Sequence, residues 1–131
     1  MNIIKNAILI FALFSLISCE KMYISSIVNN SKNKIIVKVK IDVEAVEKKR
    51  KEYLGKGYLF DKENPKDYEV EIMSSESYDL DGKMHTKPDF YNIKEIEIYS
   101  ENTLILQCRK DQMQKLFSTE TSPGHLDLII N

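Results

Sequence analysis

The stretch that decides the fold is residues 35–43, Ile35-Ile36-Val37-Lys38-Val39-Lys40-Ile41-Asp42-Val43. Ile35, Val37, Val39, Ile41 and Val43 alternate with Ile36, Lys38, Lys40 and Asp42. Successive side chains of a strand point to opposite faces, so this period of two predicts a half-buried strand with its β-branched face inward and its lysines in water. Before it, residues 23–28 are strand-like, and the Asn, Ser and Lys run over residues 29–34 reads as a turn. The spacing predicts a hairpin of the two segments.

Further outward, strand candidates recur at residues 58–60, 68–73, 93–99, 103–109 and 125–130. Residues 61–67, with Pro65, and 101–102 punctuate them as turns. Residues 44–54 break the alternation and predict a short helix, with Val43, Val46, Tyr53 and Leu54 on its packed side and Gly55 as a stop. Its run Lys48, Lys49, Arg50, Lys51 carries Glu44 and Glu47 one turn earlier, the order expected of a solvated face. Residues 110–117 predict a second short helix bearing Met113, Leu116 and Phe117. The fold class is therefore all-β with one or two short helices, and the spacing predicts an antiparallel immunoglobulin-like β-sandwich. Trp is absent, so that expectation rests on pattern and not on a Cys, Trp, Cys arrangement.

Composition narrows the function classes. The chain has 131 residues, with 19 Lys plus Arg against 20 Asp plus Glu and a net charge of −1, which gives no electrostatic case for nucleic acid. Four glycines argue against a phosphate-cradling loop. Lys5 followed by an almost unbroken apolar run over residues 7–17 reads as a signal-peptide core. A bilayer-spanning helix needs about 20 apolar residues, so the run is too short to be one.

That run ends in Leu16, Ile17, Ser18, Cys19, which resembles the lipobox of bacterial lipoproteins. There, Leu stands three residues before a Cys that a small residue precedes. Ser18 in place of Gly or Ala, with 17 Ile, 17 Lys and only two Arg in the chain, is similar to the relaxed form found in spirochaetes. The resemblance covers residues 1–22 and implies that Cys19 becomes the first mature residue and carries the acyl chains. It implies three segments: a signal peptide over residues 1–18, a lipidated Cys and short tether over 19–22, and one domain over 23–131. The implied location is the bacterial cell envelope. The implied partners are the membrane, through Cys19, and an unidentified envelope protein or host ligand. The order of an Asn-rich first turn, the strand Ile96, Glu97, Ile98, Tyr99 and a terminal strand over 126–130 is also loosely similar to small sandwich lipoproteins.

With Cys19 acylated, Cys108 has no disulfide partner, and its place in a strand candidate reads as a buried apolar thiol. His85 and His125 lie 40 positions apart and form no zinc spacing with Cys108, so no metal is expected. Asp79, Asp81 and Gly82 resemble part of a calcium loop, but the register puts Pro88 where a bidentate Glu is required, and a hairpin turn through Asp81 and Gly82 is expected instead. Glu69 with Glu71 and Glu95 with Glu97 alternate along strands and share solvated faces. No catalytic residue or cofactor is predicted.

Residues 74–92 form the longest stretch without clear periodicity and read as a long loop. Phe90 and Tyr91, at its end, are the candidate binding patch, since exposed aromatics bury large area at low entropic cost. A membrane-anchored, non-catalytic binding or structural module follows as the expected function. An envelope enzyme or accessory subunit without a recognisable motif is the alternative.

Overall fold

The computed structural model describes residues 3, 21–60 and 65–131. In chain order the elements are β1 (Met22–Asn29), β2 (Ile35–Ile41), helix α1 (Val43–Gly55), β3 (Tyr68–Ile72), β4 (Ser77–Met84), β5 (Ile93–Ser100), β6 (Thr103–Arg109), helix α2 (Lys110–Leu116), β7 (Glu120–Ser122) and β8 (His125–Ile130). They form two four-stranded sheets, ordered β4-β1-β8-β7 and β3-β2-β5-β6.

The alternation in residues 35–43 is what builds the second sheet. Ile35, Val37, Val39 and Ile41 are buried while Lys38 and Lys40 are exposed. On the outer face the lysines of β2 stand between two acidic strands. Lys38 faces Glu69 of β3, and Lys40 faces Glu95 and Glu97 of β5 at 3.1 and 3.0 Å. The paired glutamates thus share a solvated face, as their spacing predicts. Cross-strand pairs of this exposed kind add little stability, and their main effect is to disfavour a slipped register. On the inner face Ile93, Ile96 and Ile98 of β5, Ile72 of β3 and Cys108 of β6 meet Ile27 of β1 and Leu126 of β8. Val46 of α1, Met113 of α2, Phe90 and Phe117 complete this core.

Five expectations need correction. β1 and β2 are not a hairpin but belong to different sheets. The buried Asn29 side chain explains the crossing: its Nδ2 donates to the carbonyls of Ile72 at 2.9 Å and Asn33 at 2.8 Å, while its Oδ1 accepts from the Ser31 amide at 3.0 Å. The end of β1 is thereby fastened to β3 of the other sheet. The Asn29 amide and carbonyl meanwhile bond Glu76 and Ser75, which lead into β4.

Residues 74–92 are not one long loop. They contain β4, which pairs antiparallel with β1, and Asp81 and Gly82 lie in that strand instead of forming a turn. A bulge opposite Ser25 and Ser26 inserts Leu80 between Asp79 and Asp81, which interrupts the alternation. Nor are the sheets wholly antiparallel, because β1 and β8, the first and last strands, run parallel. Gly124 makes room for this return: with φ at +80°, a Cβ there would fall 2.4 Å from the Met22 carbonyl oxygen. Finally, residues 58–60 are not a strand. They follow a turn in which Gly57, at φ +79°, reverses the chain two residues past Gly55.

Candidate functional site

Helix α1 starts at Asp42, whose carboxylate accepts from the Ala45 amide at 3.0 Å, and runs on to Gly55. Of the residues predicted for its packed side, only Val46 is buried; Val43, Tyr53 and Leu54 are exposed. Beyond the helix the chain reverses at Gly57. The Tyr58 amide donates back to the Tyr53 carbonyl at 2.9 Å, and residues 58–60 fold against the helix instead of continuing a sheet. Tyr53 then meets Tyr58 edge-on at 6.3 Å and Phe60 at 5.5 Å. Arg50 pairs with Glu47 and lies 5.7 Å from the Phe60 ring, so part of the basic run serves this aromatic cluster.

The opposite wall comes from β4 and the segment before β5. Lys49, Tyr53, Leu59 and Phe60 face Asp81, Gly82, Lys83, Asp89 and Tyr91 across a cleft of about 380 Å³. Lys49 Nζ stands 4.4 Å over the Tyr91 ring and 5.7 Å from that of Tyr53, bridging the two walls. Asp89 accepts from the Tyr91 amide at 3.3 Å and pairs with Lys83 at 3.3 Å. Burial pushes the Asp89 carboxyl up, but these two donors outweigh it and hold the group below the ordinary carboxylate range.

Phe90 and Tyr91 do not form one surface patch. Phe90 is 1% exposed and packs its ring 5.3 Å from that of Phe117, so it is a core residue. Its φ of +54° lies in the left-handed region, which is strained for a bulky side chain and persists because the burial compensates it. That backbone turn sends Phe90 inward and leaves Tyr91 at the cleft. The sequence marks Lys49 only within the basic run, Tyr53 on the packed side of the helix and Phe60 in the strand candidate 58–60, and it does not bring them together with Lys83 and Asp89. The i, i+4 spacing of Lys49 and Tyr53 was the one local signal of a shared helix face.

The other candidates lie elsewhere. Cys108 is buried, as expected, and burial together with Asp111 pushes its thiol up, away from the reactive thiolate. It borders a shallow groove of about 540 Å³ formed with Leu106, Gln107, Asp111, Gln112, Lys115 and Leu116, a lining that contains no histidine. His85 and His125 are exposed and do not line the cleft. Among the described residues, no group of three His, Cys, Asp or Glu is placed to hold a metal. Cys19 lies outside the described residues. No helix among the described residues is long and apolar enough to cross a membrane.

Comparison with known proteins returns nothing significantly similar: no family model, no curated protein and no solved structure matches the chain. The cleft must be understood from its own chemistry. Its aromatic faces, two lysines and two aspartates supply amphipathic contact area and balanced charge. Such faces and charges suit contact by stacking and ion pairing.

Proposed function

We propose that the chain is a lipoprotein of a bacterial cell envelope, anchored through acyl chains on Cys19, whose two-sheet domain is a non-catalytic binding or structural module. The observation that carries the reading is Leu16, Ile17, Ser18, Cys19 at the end of the apolar run. Two or more acyl chains, at about 0.8 kcal/mol per buried methylene, hold a protein on a membrane essentially permanently. The beginning of β1 at Met22, three residues after Cys19, supports a domain carried close to the bilayer. Two four-stranded sheets around one core are compatible with an immunoglobulin-like arrangement, which we propose as the finer class.

The test is incorporation of labelled palmitate by the wild type and by Cys19→Ala. Label in the first and none in the second is expected; an unlabelled wild type whose mature chain starts elsewhere would sink the reading. Protease treatment of intact against lysed cells then separates a host-facing partner from one inside the envelope.

A further inference from the structure

Several exposed apolar side chains gather at one end of the domain. Met22, where β1 begins, is 51% exposed, and its register partner Met84 is 45% exposed. Leu59 is 93% exposed and Tyr58 63%. These residues are neighbours in space. Leu59 lines the cleft together with Gly82 and Lys83, and the Met22 methyl group sits over Gly82, 3.2 Å from where a Cβ would stand. Leu59 and Met22 therefore both lie beside Gly82 of β4, and Tyr53 and Tyr91 line the same cleft as Leu59.

The chain outside the described residues ends at this same end. From Cys19 to Met22 is three residues, roughly 10 Å when fully extended. That reach is less than the thickness of a folded domain, so no globular partner fits between this end and a bilayer holding Cys19. The surface that fits is the bilayer itself. Leucine and methionine suit its acyl boundary, and tyrosine and lysine, apolar in the stem and polar at the tip, suit its headgroup layer.

Building on the Cys19 reading, we propose that the domain docks on the bilayer through this end. Leu59 and Tyr58 enter the interfacial layer, and the cleft between Tyr53 and Tyr91 opens onto the lipid headgroups. The turn over residues 30–34, at the opposite end of the eight-residue β1, then points away from the membrane by roughly 25 Å.

The chain contains no tryptophan, so a single introduced one reports its own depth. Full-length Leu59→Trp, Tyr58→Trp and Lys32→Trp proteins, lipidated in cells, are reconstituted into phosphatidylcholine–phosphatidylglycerol vesicles with brominated acyl chains. All three sites are on the surface, so the substitutions leave the core intact. Emission from the Leu59→Trp and Tyr58→Trp proteins is expected to fall by at least about twofold, with that of Lys32→Trp unchanged. If the proteins carry acyl mass and float with the vesicles but all three emit alike, docking through this end is overturned and the lipid anchor stands. If they carry no acyl mass and do not float, the anchor reading fails and the docking proposal falls with it.

Discussion

Lys110, the first residue of α2, forms an ion pair with Asp42, the N-cap of α1, across 68 positions of sequence. The same Nζ donates to the Tyr91 carbonyl at 2.7 Å. One ammonium group thus fastens the start of the second helix, the start of the first and the segment that carries Tyr91 into the cleft.

Asp42→Ala removes both the cap and the ion pair and is expected to cost about 1–2 kcal/mol in urea unfolding. Lys110→Met keeps the cap and should cost less. Lys110, followed by the Ala45 amide, holds the Asp42 carboxyl below its ordinary value. The ionised form is thus favoured in the folded state, and its contribution is complete above about pH 5 and fades as acid protonates the group through its lowered folded pKa. The urea midpoint of the wild type should drop on acidification and that of Asp42→Asn should drop less. Equal drops would remove Asp42 from the groups responsible.

Phe90 and Tyr91 are adjacent in sequence but differ sharply in burial. Phe90→Ala leaves a cavity against Phe117 and is expected to cost about 3–5 kcal/mol. Tyr91→Ala should cost clearly less, because the ring is only half-buried, packed at the edge of the core and open to the cleft. Comparable losses in chemical denaturation would show that both rings belong to one packed cluster.

Asn29 ties the two sheets through donors that an aspartate does not have. In Asn29→Asp, a carboxylate would face the carbonyls of Ile72 and Asn33, an unsatisfied buried charge expected to cost more than about 2 kcal/mol at neutral pH. Protonation restores one donor, so its deficit relative to wild type should shrink at low pH. A deficit independent of pH would mean that the site admits water.

The Cys108 thiol should resist a thiol-modifying reagent in the native protein and react quickly in urea, since burial hides it and pushes its pKa up. Reaction at the same rate in both conditions would place it at an open surface.

The local periodicities carried far. Residues 35–43 announced β2 and its lysine face, residues 93–99 announced β5, and the spacing of Met113 and Phe117 announced α2, because inward and outward alternation is written into consecutive side chains. β4 was hidden, since the bulge at Leu80 and the polar residues of its outer face blur the period of two. β7, at three residues, is too short to leave a pattern. In the cleft, the sequence marks Tyr91 as a binding residue and Asp81 with Gly82 as a turn, but it does not show that they share one cleft, since its walls come from α1, β4 and the turn at Gly57.

What the amino-acid order determined alone was which faces must be buried and, through the residues around Cys19, the expectation of a lipid anchor, because both depend on neighbours along the chain. Tertiary structure decided which strands pair, through the Asn29 hydrogen bonds and the Gly124 contact with Met22, and which of two adjacent aromatics is core. Those outcomes follow from groups far apart in sequence competing for the same space and the same hydrogen bonds, and no local pattern records that competition.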